Sequence, residues 1–211
     1  PRYGIDRDGD GRDTLFGTAS RNFNEEERAQ RDGLAPGQVR RGLRLLARVL
    51  QCMEGFCGLI GKDLYLIDPL FYHSAIIYER HGCGYIMGRE VMEYIHDQFA
   101  QTGALTRGLD ASTPFRAPGG GLTVRGRSWA LHDGIAGASW GGIKMYKAAS
   151  HHAGVDTFPG GRSSEIEDGN SHSHFNHTLD MPHIARKTGA VVIGTESTTN
   201  LARAGGVDPG R

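Results

Sequence analysis

The chain has 211 residues and carries 24 basic and 24 acidic side chains, so its formal net charge is zero. A chain of this length can form one domain with a substantial core or two small ones. The balanced charge gives no reason to expect a nucleic-acid partner, and no apolar run approaches the ~20 residues that a membrane-spanning helix needs.

The three cysteines, Cys52, Cys57 and Cys83, are an odd number. This usage is typical of free thiols in a reducing compartment, and no signal peptide is visible, so we expect a cytoplasmic protein. The chain begins with Pro1 rather than Met, which is also consistent with a removed signal. Cys52 and Cys57 would lie about 140° apart around a helix axis, which argues against a zinc site made from this pair.

The first half of the chain is predicted to be mostly helical. Residues 22–31 have the pattern of a short exposed helix, with Asn24 as the candidate N-cap. Pro36 opens the longest helical pattern, in which apolar residues recur at alternating spacings of four and three. The predicted core-facing stripe consists of Val39, Leu43, Leu46, Leu50, Met53, Cys57 and Ile60. The inward-facing residues of a later helix are Met92, Ile95 and Phe99.

That later helix also contains one pair of metal-capable side chains. Glu93 and His96 have the Glu-x-x-His spacing of carboxylate-bridged di-iron bundles, and Glu54 and Glu79 could add ligands from neighbouring helices. Such bundles carry two copies of the motif, whereas this sequence contains one. An exposed Glu and His on one helix face is therefore the favoured interpretation, and a di-iron protein is the weaker one.

The segment after residue 101 changes character. Two stretches around Gly126 alternate like strands, which predicts a β-hairpin near residues 122–131. His132 and Asp133 follow directly at the predicted strand end. They could form a functional pair there, and a plain turn explains them equally well.

The densest cluster of metal-capable side chains comes near the end of the chain, where His172, His174 and His177 fall within six residues. If the first two lie at the end of a strand, alternation points both to one side, and His177 comes round in the following turn. Imidazole is the commonest protein ligand for zinc-like ions. The cluster therefore predicts a metal site, and a surface loop that binds nothing is the simpler alternative.

The run from His172 to Glu196 resembles the metallo-β-lactamase-fold hydrolases, and most closely their lactonase-type branch. The family signature is His-x-His-x-Asp-His at a strand end, followed by a helix and by a strand that begins after Thr-Gly-Ala. That tripeptide is centred here on Gly189. The resemblance covers about residues 165–211, and residues 1–150 resemble no family.

The resemblance implies zinc as the cofactor, with His172 and His174 holding the first ion and His177 the second. It also implies a small-molecule substrate, because metal-bound hydroxide would attack an ester, a lactone or a phosphoester. Asn176 replaces the family aspartate at the catalytic position and is a weaker ligand and a poor proton acceptor, so the second ion is expected to bind weakly. The sequence ends at Arg211, before the family's remaining ligands, which predicts a partial unit.

The sequence thus predicts a mixed α/β protein. Residues 1–158 are expected to form a mainly helical region of unknown function, and residues 159–211 a partial metallo-β-lactamase-like strand–helix–strand unit. The predicted function is a zinc-type hydrolase, weakened by Asn176. The alternative is a non-catalytic helical interaction protein with a degenerate metal-binding loop, and the sequence does not specify an oligomeric state.

Overall fold

The computed structural model describes residues 2–100, 102–138 and 140–160. All of them belong to the first of the two units into which the chain divides, Pro1–Ser171 and His172–Arg211. The described residues contain six α-helices and one three-stranded antiparallel sheet. The mixed helix-and-sheet class is therefore confirmed. The predicted metallo-β-lactamase-like unit lies outside the described residues, apart from its first two positions.

Helices and strands alternate irregularly along this part of the chain. The helices are α1 (Phe23–Arg31), α2 (Leu46–Leu59), α3 (Tyr72–Arg80), α4 (Arg89–Gln98), α5 (Ala104–Arg107) and α6 (Val124–His132). The strands are β1 (Leu64–Ile67), β2 (Gly84–Met87) and β3 (Lys144–Ala148). Two short 3₁₀ turns, Pro114–Arg116 and Gly120–Leu122, precede α6. None of the helices in the described ranges has the length and apolar character needed to cross a membrane.

The sheet has the strand order β1-β3-β2, and β3 pairs antiparallel with both neighbours. Met145 of β3 lies opposite Ile67 and Tyr85, and this face packs on the main core, where Met145 is fully buried. Leu64 and Leu66 alternate with Ile67 along β1, and both are exposed. The described residues therefore cover one face of the sheet only.

The main hydrophobic core lies between α3, α4, α6 and the sheet. Met92, Ile95 and Phe99 are buried in it, as their spacing predicts. The other large buried members are Tyr72, Ile76, Leu105, Leu131, Ile143, Met145 and Phe158. Because α3 and α6 pack directly against each other in this core, the first turn of α3 lies beside the last part of α6.

The N-cap of α1 is Asn22 rather than Asn24. The Asn22 side chain accepts a hydrogen bond from the backbone N–H of Glu25 at 3.4 Å, and its amide group donates to the carbonyl of Arg7 at 2.7 Å. The cap therefore also holds the helix against the N-terminal loop. The predicted exposure of α1 is only partly right, because Glu26 is 1 % exposed.

The longest predicted helix is shorter than expected, since α2 begins at Leu46 instead of Pro36. Gly37 and Arg44 have φ angles of 79° and 55°, in the left-handed region that a right-handed helix does not contain. Glycine is required at position 37 for a second reason as well. A Cβ there would lie 2.3 Å from the Phe71 ring.

The predicted apolar stripe is divided by this break. Its buried members on α2 are Leu46, Leu50 and Cys57. Its exposed members are Leu43, Met53 and Ile60. Val39 is also buried, but in a separate cluster with Tyr3, whose backbone N–H donates to the Val39 carbonyl at 2.8 Å. The spacing of apolar residues by four and three positions thus begins before Leu46, in a segment that is not helical.

The β-hairpin predicted near residues 122–131 is wrong, because this segment forms α6. The Thr123 side chain caps the helix by accepting a hydrogen bond from the backbone N–H of Gly126 at 2.9 Å. Gly126 is not a turn residue, since it allows the helix to contact the backbone of Gly120. Five consecutive residues, Arg127 to Leu131, are buried, so α6 has no solvent-exposed face. Its sequence therefore lacks the apolar repeat of 3.6 residues by which an amphipathic helix is recognised.

All three cysteines are free thiols, as their odd number predicts. Cys52 is exposed and Cys57 is buried, so the two do not share a face of α2. Cys83 is also buried, and burial raises the pKa of its thiol to about 12. The Cys83 thiol is therefore protonated and unreactive at neutral pH.

Gly126→Ala and Gly55→Ala add the same methyl group to two helices, and we expect opposite effects on stability. A Cβ at Gly126 would lie 2.3 Å from the carbonyl oxygen of Gly120, so the unfolding free energy should fall by about 1–3 kcal/mol. A Cβ at Gly55 meets nothing within 4 Å, so the better helix propensity of alanine should raise it by about 0.5–1 kcal/mol. Urea unfolding measures both. A Gly126→Ala protein as stable as the wild type would contradict the close packing of α6 on the preceding turn.

Candidate functional site

A pocket of about 530 Å³ opens beside the first turn of α3 and the last turn of α6. This volume is typical of sites that bind small organic molecules. The apolar side chains that line it are Leu70, Phe71, Tyr72, Leu131 and Trp140. The polar side chains that line it are Thr18, Ser20, Arg21, Ser128 and His132. The remaining lining residues are glycine and alanine, which leave the space open.

His132, the last residue of α6, joins this pocket to a buried carboxylate. Its Nε2 lies 3.3 Å from Oε1 of Glu26. Because an ionised carboxylate can only accept a hydrogen bond, we assign a proton to Nε2 of His132 as the donor of this contact. A histidine oriented by a carboxylate in this way is suited to hold a polar ligand group or to exchange a proton with it.

Arg21 connects two buried carboxylates at the edge of the pocket. Its Nε donates to Oε2 of Glu26 at 2.8 Å, and its Nη1 donates to Oδ1 of Asp133 at 3.0 Å. The second carboxylate oxygen of Asp133 accepts hydrogen bonds from Nε of Arg116 and from the Thr113 hydroxyl, both at 2.8 Å. Two carboxylates and two guanidinium groups thus form one network that joins distant parts of the sequence.

The network keeps both carboxylates ionised. Burial alone would raise the pKa of Glu26, but hydrogen bonds from His132 and Arg21 outweigh burial and hold this pKa below its ordinary value. The same competition applies to Asp133. Burial opposes ionisation there, but hydrogen bonds from Thr113, from Arg21 and from a second arginine lower the pKa.

One member of this network, together with His132, lines the pocket. Arg21 and His132 line the pocket, whereas Glu26, Asp133 and Arg116 do not. Among the described residues that line it, none has an acidic side chain. The polar end of the pocket therefore presents a guanidinium group and an imidazole, with their carboxylate partners set back from the cavity.

A second histidine contacts α6 one turn earlier. His73 Nδ1 lies 2.8 Å from Oγ of Ser128, and both residues are 1 % exposed. The Phe71 ring stacks on His73 and meets His132 edge-on, with both ring centroids 5.6 Å away. One aromatic side chain thus positions both imidazoles. A serine beside a histidine is also the arrangement of an activated nucleophile, although its burial here fits a hydrogen bond that joins α3 to α6.

Glu93 and His96, the alternative metal pair, have separate partners. Glu93 accepts a hydrogen bond from Nε of Arg89 at 2.8 Å on the protein surface. Nδ1 of His96 accepts one from Arg127 at 3.2 Å, and burial together with the Arg127 charge lowers the pKa of His96. Within the described ranges, no group of three His, Cys, Asp or Glu side chains could hold a metal ion.

The predicted metal ligands His172, His174 and His177 and the predicted catalytic residue Asn176 lie outside the described residues. Of the motifs that the sequence suggests within the described part, the pair at positions 132 and 133 is the one with a member at the pocket, because His132 lines it and Asp133 does not. The two residues do not act on each other, however. The imidazole contacts Glu26, and the Asp133 carboxylate contacts two arginines.

Comparison with known proteins identifies no relative. No family model matches this chain, and no curated protein or solved structure is similar to it. The resemblance of the histidine cluster to the metallo-β-lactamase-fold hydrolases therefore stays a prediction from the residues themselves.

Sequence patterns do not reveal three members of the site. Glu26 stands in a run of three glutamates, which the first turn of a fully solvated helix also shows. Ser128 lies in the segment that alternates like a strand. Arg21 has no local signal, because its two carboxylate partners are recognised only from their positions in space.

Asp133→Asn tests the ion-pair network. This substitution removes the ion pairs that Asp133 makes with Arg21 and Arg116. We therefore expect the unfolding free energy to fall by about 3 kcal/mol at neutral pH. Because folding lowers the pKa of Asp133, the stabilisation is present above the ordinary carboxyl pKa and disappears as the pH falls through the lowered value. The difference from wild type should therefore shrink in acid, which urea unfolding across a pH series measures.

The matched control is Glu93→Gln, which removes an ion pair with Arg89 whose two side chains are more than half exposed. We expect a change within about 0.5 kcal/mol. If Asp133→Asn costs no more than this control, the network does not stabilise the fold.

Proposed function

We propose that this chain is a metal-dependent hydrolase of the zinc type that acts on an ester, a lactone or a phosphoester. The observation that carries the proposal is the spacing of His172, His174 and His177. Three imidazoles within six residues of sequence are a donor set that zinc favours. When bound, zinc lowers the pKa of a coordinated water to ~7 and so supplies hydroxide at neutral pH.

Asn176 limits the activity that we expect. Its amide can donate or accept a hydrogen bond and so can help to orient a substrate. It cannot take up a proton, and it brings no negative charge to a second ion. We therefore expect one firmly held ion and slow hydrolysis.

Metal analysis of the purified chain tests the proposal. We expect about one zinc ion per chain, and we expect His172→Ala/His174→Ala to lose it. The matched control is His151→Ala/His152→Ala, which removes two neighbouring exposed histidines and should leave the metal content unchanged. A wild-type chain without metal would contradict the proposal.

Asn176→Asp is a further arm of the same experiment. Restoring a carboxylate should raise the metal content towards two ions per chain and should accelerate hydrolysis of a simple lactone or a nitrophenyl ester. Asn176→Ala should do neither. Equal metal content and equal rates in the two variants would show that position 176 does not contact the metal site.

One observation favours the alternative function, a non-catalytic interaction protein. Leu45 at the N-cap of α2 and Val49 and Met53 within the helix recur every four residues, and 38–41 % of each side chain remains exposed. The buried residues of α2 lie on the adjacent face, so the helix has a second apolar stripe that the described residues do not cover. A partner helix recognises a stripe of this kind through its apolar side chains.

Sedimentation velocity over a range of protein concentrations tests self-association through this stripe. We expect dimers in the wild type and monomers in Val49→Glu/Met53→Glu, because each glutamate would place a charge in an apolar contact. The matched control, Ala47→Glu/Gln51→Glu, changes exposed positions on the other side of α2 and should still associate. A wild-type chain that stays monomeric at every concentration would exclude association through the stripe.

A further inference from the structure

We infer that the pocket between α3 and α6 is a binding site in its own right, and that its ligand is a small organic carboxylate with an apolar, ring-sized body. The proposal goes beyond the metal-dependent activity and uses none of the residues that the activity requires. It rests on the N–H donors of Arg21, on the apolar side chains that also line the pocket, and on the absence of acidic side chains from the described lining.

The polar end has donors for an anion. Arg21 carries five N–H groups, of which the hydrogen bonds to Glu26 and Asp133 use three. The remaining two, one on each terminal nitrogen, have no hydrogen-bond acceptor among the described residues. The rings of Phe23 and Phe115 lie against the guanidinium group, with centroids 4.4 and 4.8 Å from its central carbon. Because Arg21 lines the pocket, these donors can hold a carboxylate in the planar arrangement that guanidinium groups favour.

His132 lies beside these donors, because it contacts the same carboxylate as Arg21 does. Glu26 uses Oε1 for His132 and Oε2 for Arg21. Both residues are therefore held at one end of the cavity by a group that does not itself line it. A cationic ligand would meet these donors and find no carboxylate among the described lining residues, so the pocket discriminates against positive charge.

The apolar part of the pocket lining includes two amphipathic side chains, Tyr72 and Trp140. The indole N–H of Trp140 donates to the carbonyl of Pro69 at 2.9 Å, and the Tyr72 hydroxyl accepts a hydrogen bond from Arg127 at 3.4 Å. The two rings meet edge-on with centroids 6.1 Å apart. The polar atoms of Trp140 and Tyr72 thus contact groups that do not line the pocket. Their ring surfaces, together with Leu131, are available to contact the apolar body of a ligand.

Binding of three probes with one shape and different charge tests the inference. Benzoate, benzamide and benzylammonium are titrated against the 211-residue chain by calorimetry, and saturation-transfer NMR confirms weak binding. We expect benzoate to bind about tenfold more tightly than benzylammonium, with benzamide between them. Equal affinities for benzoate and benzylammonium, or no benzoate binding, would overturn the assignment.

A pair of variants locates the probe. Ala138 is exposed and lines the pocket, whereas Ala136 is exposed and does not. Ala138→Trp fills the cavity and should abolish benzoate binding, and Ala136→Trp adds the same bulk nearby and should leave binding unchanged. If both variants bind benzoate equally well, the probe is not in this pocket.

The metal proposal and the pocket proposal fail independently. Carboxylates also bind zinc, so the titrations are repeated with a chelator and with His172→Ala/His174→Ala. Benzoate binding that survives both treatments supports the pocket, whatever the metal content. Binding that is lost in both would place the probe on a metal ion and overturn the assignment.

Discussion

The Arg21 guanidinium is the group on which the arrangement of the site depends. An arginine side chain stays charged in a folded protein, so a partly buried one needs matching carboxylates. Glu26 from α1 and Asp133 from the end of α6 supply them, and Arg116 balances the second carboxylate from the other side. The loop before α1, the helix itself, the 3₁₀ turn and α6 are thereby held in one geometry. The pocket opens along this junction, with the arginine at its edge.

Helix α6 serves the core and the pocket at the same time. Trp129 stacks on the Phe115 ring with centroids 5.0 Å apart and donates from its indole N–H to the carbonyl of Leu34 at 2.8 Å. One residue earlier Ser128 lines the pocket, and three residues later His132 does so again. Such a helix tolerates few substitutions, because almost every side chain has a contact to lose.

The two chemical features of the chain lie in different units. The histidine cluster is a sequence feature of residues 172–177, whereas the pocket is a structural feature of the described part. Zinc chemistry needs imidazoles that are close and deprotonated, and recognition of a carboxylate needs N–H donors at the edge of an apolar cavity. Neither requirement is satisfied by the residues of the other. For that reason the metal and the pocket support separate proposals, and a single family resemblance could not have suggested both.

Local patterns of sequence determined a good part of the fold. The mixed class, the short helix that ends at Arg31 and the inward face of α4 all follow from periodicity and from residue types that begin or end helices. These features depend on neighbours a few positions away. Helical periodicity is visible in a sequence only when the helix has one solvent-exposed face and one buried face, as α4 has.

Three features depend on tertiary structure and could not be predicted from local sequence: the helical state of α6, the non-helical segment before α2 and the ion-pair network around Arg21. In the sequence, Gly126 has the character of a turn residue. In the structure, glycine is required there because the backbone of Gly120 leaves no room for a Cβ atom. Helix α6 has no solvent-exposed face, so the apolar residues in its sequence show no helical periodicity. The carboxylates at positions 26 and 133 resemble solvated acids until folding brings one guanidinium between them. Coulomb energy and close packing depend on distances in space, and those distances between remote residues exist only once the chain has folded.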